Sequence, residues 1–209
     1  ELLLLPEAGL HKAAHAKRAP VRTIIRDRVM VAAVLFRSLI SFGRGLVIPF
    51  LPFVAEELGA SLSVIGVLLA TNILLAGFLQ VPFGKVADRV SRPLLMGTGI
   101  LTMAGLIFAI PHCGSVAALF ALQVATGFSM AIGLPAGLAV AADRGRRHHA
   151  MGTSLALFNS GMSAGLVIAP LAGGAFSDIF GLDFVFHGGS LVVVAGFVVF
   201  LVLVRGARS

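Results

Sequence analysis

The chain has 209 residues, of which 58% are apolar and only 12% carry a charge, and its mean hydropathy is +1.02. So little polar surface excludes a water-soluble globular domain of this size and indicates a polytopic membrane protein. The formal net charge of +7 would suit an acidic partner such as nucleic acid, but the cations are confined to a few segments. Nucleic-acid binding is therefore the less economical interpretation of the charge.

Residues 1–28 form a region of their own before the first long apolar segment. They begin with an apolar run that is cut at its start, ELLLLPE, and six Lys or Arg residues follow between residues 11 and 28. The chain starts with Glu1 and shows no signal-peptide pattern, so we expect it to be a fragment of a longer protein. An alternative for residues 22–28 is an amphipathic helix that lies on anionic lipid.

Six apolar segments follow, and each is long enough to cross about 30 Å of hydrocarbon as a helix. They comprise residues 29–54, 64–83, 93–111, 116–142, 151–177 and 184–204. Six crossings return the chain to the side on which it started. The sequence therefore predicts an all-α membrane protein with a bundle of six transmembrane helices at residues 29–204 and a short tail at residues 205–209.

The basic residues between these segments predict the side of the membrane on which each connection lies. Of the 16 Lys and Arg residues, 14 fall in the N-terminal region, in residues 84–92, in residues 143–149 or in the tail. The other connections, at residues 55–63, 112–115 and 178–183, contain none. Because cytoplasmic connections carry the excess of Lys and Arg in membrane proteins, both termini are predicted to be cytoplasmic.

A weak internal similarity relates the second and fifth apolar segments. Both segments and the turns after them contain Asn, Gly, Pro, Gly and Asp in the same order: Asn72, Gly77, Pro82, Gly84 and Asp88, then Asn159, Gly165, Pro170, Gly173 and Asp178. The two segments are three helices apart and cross the membrane in opposite directions. This arrangement predicts two inverted three-helix repeats.

No combination of residues predicts catalysis, a metal site or a cofactor. The spans contain no Ser/His pair, paired Asp or metal-ligand set, so an enzyme is not expected. His148 and His149 are adjacent, which is not a recognised metal-ligand spacing, and a solvated basic loop is the preferred interpretation. Cys113 is the single cysteine and cannot form an internal disulfide. A small apolar residue near a helix end is preferred there over a reactive thiol.

The turn between the second and third segments carries the most specific pattern in the chain. It reads GKVADRVSR at residues 84–92. This pattern resembles the G-x-x-x-D-R-x-G-R-R/K loop of major facilitator superfamily transporters. Ser91 replaces a glycine of that loop and Pro93 replaces a basic residue. The residues that match are Gly84, Asp88, Arg89 and Arg92.

The resemblance implies that residues 84–92 form a gating loop. Asp88 would pair with a cation or a helix N-terminus on a neighbouring helix when the transporter faces outward, and would release it when the transporter faces inward. Gly84 would let the helix end approach closely. A carboxylate near a helix N-terminus is stabilised by about 0.3 to 2 kcal/mol, which is enough to bias a conformational equilibrium. The alternative is a solvated loop whose arginines only fix the orientation.

Two further segments resemble motifs of the same family. Residues 165–174 are similar to the G-x-x-x-G-P-x-x-G-G motif of drug/proton antiporters, although packing alone explains the pattern equally well. The matching residues are Gly165, Pro170, Gly173 and Gly174. Gln123 stands where the L-x-x-x-R-x-x-q-G motif has an arginine to which proton coupling is usually attributed. This departure, together with the leucine-rich start and the basic region after it, implies helices seven to twelve of a twelve-helix protein.

Arg37 and Arg44 both lie within the first apolar segment. They are two helical turns apart, so they share one face at about 10 Å along the axis. A charge at mid-bilayer costs at least about 2.5 kcal/mol, and neither side chain should therefore face lipid. One interpretation is that they line a substrate cavity, where they attract an anionic substrate or pair with an acidic group of the other half. The alternatives are snorkelling of Arg37 and an interhelical hydrogen bond from Arg44.

Three amides complete the set of cavity candidates, namely Asn72, Gln123 and Asn159. Like Gln80, each is more simply explained by hydrogen bonding between helices, which is common in bundles. No Asp or Glu lies deep in any of the six segments. If the transporter is coupled to protons, its acidic residue is expected in the missing half.

The resemblance implies a secondary active transporter of the major facilitator type that exports small molecules by alternating access, present here as its C-terminal half. Proton coupling stays open. The expected partners are the lipid bilayer, the missing N-terminal six-helix half and a small-molecule substrate, and the expected location is the plasma or inner membrane. The alternative function is a non-transporting six-helix scaffold or sensor that retains the fold.

Overall fold

The structure, a computed structural model, describes residues 21–206. A short helix, α1 (Val21–Arg26), precedes six long ones: α2 (Arg28–Glu57), α3 (Leu62–Ala87), α4 (Arg92–Ala109), α5 (Val116–Arg147), α6 (Met151–Phe180) and α7 (Leu182–Arg205). A 3-10 turn, Ile110–His112, extends α4. All six long helices have the length and hydropathy of membrane spans, which confirms the six predicted segments. The apolar run at residues 1–7 and the end of the tail lie outside the described residues.

Side-chain caps and one glycine determine where these helices begin and end. Asp27, Ser61 and Ser115 precede α2, α3 and α5, and their side-chain oxygens accept hydrogen bonds from first-turn amides. Gly181 has a φ of +87°, which favours glycine, and it separates α6 from α7. Because hydrogen bonding rather than hydropathy sets the ends, the helices extend beyond the predicted segments, to Glu57 in α2 for example.

The helix pairing follows the predicted two repeats, α2 to α4 and α5 to α7. The most extensive interface is α2 with α6, and the next is α3 with α5. The equivalent helices of the two repeats are α2 and α5, α3 and α6, and α4 and α7. When each helix is replaced by its equivalent, the α2–α6 interface becomes the α5–α3 interface. The same exchange relates the α4 interface with α5 to the α2 interface with α7. The six helices therefore form the inverted-repeat bundle that the sequence predicts.

The core lies between α2, α4, α5 and α7. Its large, fully buried apolar side chains come mainly from α2, α4 and α7, and include Phe36, Ile100, Met103, Phe186 and Phe200. Helix α5 instead contributes small residues that let the other helices approach. A Cβ on Gly133 would lie 2.9 Å from the Phe36 ring and one on Gly137 would lie 2.7 Å from it. Phe36 thus fills a depression that only glycine leaves open at this distance.

Contacts between distant segments bring the four described basic regions to one end of the bundle. Arg28 donates a hydrogen bond to the Gly206 carbonyl at 3.1 Å, which joins the start of α2 to the end of α7. Asp27 pairs with Arg144 at 3.1 Å, and Arg92 pairs with Asp143. Residues 21–28, 84–92, 143–149 and 205–206 therefore meet at one end, which we call the basic end.

Candidate functional site

A cavity of about 570 Å³ lies between α2, α3, α5 and α6. Its walls are mostly apolar, with Met130, Leu134 and Phe158 among the lining side chains. Four of the five cavity candidates from the sequence line it, and Gln80 adds a further amide. The polar lining is Arg37, Arg44, Asn72, Gln80 and Asn159. The fold thus brings together, in one cavity, polar side chains from three different helices.

A smaller cavity of about 130 Å³ adjoins the first one on the side away from the basic end. Arg44, Asn72 and Ile73 line both cavities, while Gln123 and Thr126 line only the smaller one. All five cavity candidates therefore border one of two adjoining spaces. Arg44 and Asn72 lie at the boundary between them.

Arg44 lies near the middle of α2 and is half-buried. Within residues 21–206 its guanidinium has neither an ion pair nor a hydrogen bond. No carboxylate of the described residues lines either cavity. A charge held at this depth without a counter-ion is costly, so the site favours an anionic group that comes from outside this bundle.

Arg37 is held by α6. Its Nη2 lies 2.6 Å from Sδ of Met162, and its guanidinium carbon is 5.6 Å from the centroid of the Phe158 ring. Stacking of this kind stabilises an arginine by about 0.5 to 2 kcal/mol. The Arg37 Nε is nevertheless buried without a hydrogen-bond partner in the described part of the chain. Arg37 is thus partly satisfied on the cavity wall, whereas Arg44 is not.

The three amides have different surroundings. Gln123 is 2% exposed, and its Nε2 donates a hydrogen bond to the Leu68 carbonyl at 3.4 Å, so it ties α5 to α3. Asn72 is buried beside Arg44, and its side chain has no hydrogen-bond partner among residues 21–206. Asn159 is exposed and lines the larger cavity. Gln123 therefore acts as an interhelical tie, while Asn72 and Asn159 are available to a ligand.

The predicted gating loop, residues 84–92, lies at the basic end, where α3 passes into α4. Asp88 caps the C-terminus of α3 through its backbone, and its side chain is exposed. Neither Asp88 nor Arg89 has a side-chain partner in the described chain. No atom of another described element lies within 4 Å of a Cβ built on Gly84, so this face of the helix end is open within residues 21–206.

Arg92 is the residue of this loop that makes an interhelical contact. It pairs with Asp143 near the end of α5, and Asp143 also pairs with Arg146. Both Arg92 and Asp143 are about one-third exposed. The sequence reasoning did not include Asp143; the available signal was a lone carboxylate among the arginines of residues 143–149.

Small residues on α6 form a continuous stripe against α2. A Cβ on Gly161 would lie 2.6 Å from the Val34 carbonyl oxygen, and one on Gly165 would overlap the carbonyl oxygen of Ser38. Ala169 and Gly173 continue the stripe at the same four-residue spacing. The backbones of α2 and α6 can approach this closely because no larger side chain intervenes.

The remaining residues of the α6 motif lie to one side of that stripe. Pro170 is half-buried, and no atom lies within 4 Å of a Cβ built on Gly174. The motif residues Gly165 and Gly173 thus pack against α2, while Gly174 does not pack against any described element.

The end of the bundle opposite the basic end carries an aromatic cluster that sequence reasoning left without a role. The rings of His112 and His187 are 5.2 Å apart, and both contact Phe108. Next to it, burial raises the pKa of the Cys113 thiol. No group of three or more His, Cys, Asp or Glu side chains within residues 21–206 is suited to hold a metal ion.

Six membrane-length helices in two inverted repeats, with several polar side chains in a mostly apolar cavity between them, define one six-helix bundle of a polytopic membrane protein. The sequence model of the Major Facilitator Superfamily matches residues 33–209. The chain therefore belongs to the major facilitator superfamily, and its helices make it a multi-pass membrane protein.

Two characterised efflux proteins are among its relatives. The multidrug efflux protein YfmO of Bacillus subtilis strain 168 is 31% identical over 156 residues, which cover 71% of this chain and 37% of YfmO. The quinolone resistance protein NorA of Staphylococcus aureus strain N315 is 30% identical over 177 residues, which cover 82% of this chain and 44% of NorA. The aligned region thus spans less than half the length of either relative.

Proposed function

We propose that this chain is the second six-helix half of an efflux transporter of the plasma membrane, with both termini in the cytoplasm. The observation that carries the proposal is the position of Arg44 and Asn72 at the boundary between two cavities. A transporter that alternates between two openings needs its binding groups at such a boundary, because they must be reached from either side in turn.

The cavity walls suit a small amphipathic molecule. Most of the lining is aliphatic, with the Phe158 ring, and a few polar groups would orient the bound molecule. The free guanidinium of Arg44 calls for an anionic group, which is supplied either by the substrate or by an acidic residue of the first half. Since no carboxylate of the described residues borders the cavities, a proton-coupling acid would also belong to the first half.

The gating loop would act in the change between the two states. Asp88 is exposed and has no side-chain partner in the described chain. We propose that it binds the facing end of the first half in the outward-facing state. The ion pair between Arg92 and Asp143 would keep the loop joined to α5 throughout the change.

The decisive experiment is substrate counterflow in proteoliposomes with the full-length protein that contains this segment, assayed with a panel of labelled quinolones and other small amphipathic molecules, anionic ones included. Arg44→Ala should reduce exchange by about tenfold or more, the expected loss when one charge-assisted hydrogen bond is removed. Arg44→Lys should retain part of the activity because it keeps the charge. Arg205→Ala, which removes an exposed arginine at the basic end, is the control and should exchange normally.

Two results would count against the proposal. Normal exchange by Arg44→Ala would remove Arg44 from the binding site. Correctly inserted wild-type protein that exchanges no member of the panel would instead support the non-transporting scaffold or sensor. The protein would in neither case be expected to act as an enzyme, because its family consists of transporters.

A further inference from the structure

A surface cleft of about 540 Å³ lies at the basic end and shares no lining residue with the larger cavity that contains Arg44. It lies between α1 and the C-terminal end of α5. Its titratable and charged lining consists of Arg22, Arg26, Asp27, Arg144, Arg147 and His148. Four guanidinium groups thus surround one carboxylate, and the cleft has a strong excess of positive charge.

The single carboxylate is already fully engaged within the protein. Asp27 caps α2 by accepting a hydrogen bond from the Val29 amide at 2.9 Å. Its Oδ2 also accepts from Arg144 at 3.1 Å and lies 3.4 Å from Nε2 of His148. Asp27 therefore neutralises the floor of the cleft and leaves the outer arginines uncompensated.

Three arginines at the rim remain without a partner. Arg22, Arg26 and Arg147 are exposed, and none has an ion pair or a side-chain hydrogen bond within residues 21–206. They come from two elements, α1 and the last turn of α5, that are held together by the Asp27 contacts. Their guanidinium groups can thus approach one anion from two sides, in the geometry that favours phosphate.

Helix α1 also exposes apolar side chains next to these arginines. Ile24 is fully buried and anchors α1 to the bundle, whereas Val21 and Ile25 are 51% and 52% exposed. Arg22 and Arg26 are four residues apart and share one face of α1, and Val21 and Ile25 share the adjacent face. A short helix with this distribution suits the boundary between headgroups and acyl chains.

We propose that this cleft binds the phosphate of an anionic phospholipid from the leaflet at the basic end. The rim arginines would bind the headgroup phosphate, and Val21 and Ile25 would contact the start of an acyl chain. A free phosphate would satisfy the arginines but would leave the two apolar side chains in water. The bound lipid would join the segment before α2 to the turn between α5 and α6. This site does not depend on transport.

The test is native mass spectrometry of the purified protein in detergent, titrated with phosphatidylglycerol and, separately, with phosphatidylcholine. The test variant is Arg26→Gln/Arg147→Gln, which removes one rim arginine from each element. The matched control is Lys85→Gln/Arg89→Gln, which removes the same charge from exposed positions at the same end but outside the cleft. Thermal unfolding of both variants verifies that they are folded.

Wild-type protein should bind phosphatidylglycerol at least several-fold more tightly than phosphatidylcholine. Each arginine near an anionic lipid strengthens binding by about fivefold, so the test variant should bind phosphatidylglycerol about 25-fold more weakly. The control variant should bind it nearly as well as the wild type. Equal losses in both variants would mean general attraction to the basic end and would overturn the proposal. Equally strong competition by inorganic phosphate alone would overturn the assignment to a lipid.

Discussion

Gly165 and Gly174 belong to the same motif on α6, but their surroundings differ. A Cβ built on Gly165 would overlap the Ser38 carbonyl oxygen and would lie 2.6 Å from the Phe42 amide nitrogen. Both of these atoms belong to the backbone of α2, which cannot move without displacing the helix. A Cβ built on Gly174 has no neighbour within 4 Å. Substitutions at Gly165 and Gly174 can therefore distinguish close packing against α2 from any other role of the motif.

Gly165→Ala should lower the free energy of unfolding by about 1 to 3 kcal/mol, because the added methyl group overpacks the interface between α2 and α6. Gly174→Ala has room for its methyl group and should be neutral or stabilising by up to about 1 kcal/mol, since alanine favours the helix. Reversible unfolding in mixed detergent micelles measures both changes. Equal effects of the two substitutions would show that Gly165 does not support close packing.

Several contacts at the residue scale were beyond the reach of the sequence. The hydropathy and charge patterns placed Arg37 and Arg44 away from lipid, and both border the cavity. The contact of Phe36 with Gly133 and Gly137 joins helices that are far apart in the chain. A sequence pattern within one helix shows which residues are small, but it does not show which distant side chain fills the space they leave.

At the scale of the elements, the ion pair between Arg92 and Asp143 joins the first turn of α4 to the end of α5. The sequence resemblance directed attention to Asp88, which has no side-chain partner in the described chain. The loop motif is defined from whole transporters, so its residues also serve contacts with the other half and contacts that form only in other conformational states. A single half therefore shows only the part of that network that lies within the bundle.

Arg92→Gln should loosen the gating loop. Partly exposed ion pairs contribute about 0 to 1 kcal/mol, so the amides of Leu94 and Leu95, which donate to the Ser91 carbonyl, should exchange with deuterium up to about fivefold faster. Arg89→Gln, on the same loop, removes a charge that has no partner within residues 21–206 and should leave exchange unchanged. Hydrogen–deuterium exchange with mass spectrometry measures both variants. A similar increase in the two variants would assign the effect to loop charge rather than to the ion pair.

At the scale of the whole molecule, three helices, α3, α6 and α7, leave large apolar faces uncovered by the bundle. On α3, Leu74 and Phe78 are 59% and 77% exposed, and on α6, Ile168 and Leu171 are 55% and 70% exposed. Water cannot cover so much apolar surface in a stable protein. The bilayer and a second six-helix bundle together would bury these faces. The number of spans and their order followed from hydropathy, whereas the faces that stay uncovered by the bundle emerge only when the helices are packed.

The order of the six spans predicts on which side of the membrane each connection lies. The four described basic regions meet at one end, and Cys113 lies at the opposite end, so the positive-inside rule places Arg89 and Arg146 in the cytoplasm and Cys113 outside. In a Cys113→Ser background, Arg89→Cys and Arg146→Cys should react with a membrane-impermeant maleimide only after the cells are opened. Native Cys113 should react in intact cells, and faster above neutral pH, because burial raises the pKa of its thiol and less thiolate is present at lower pH. Labelling of Arg89→Cys and Arg146→Cys from opposite sides would contradict the six-span bundle itself, since the two crossings between these turns, α4 and α5, must return the chain to the same face.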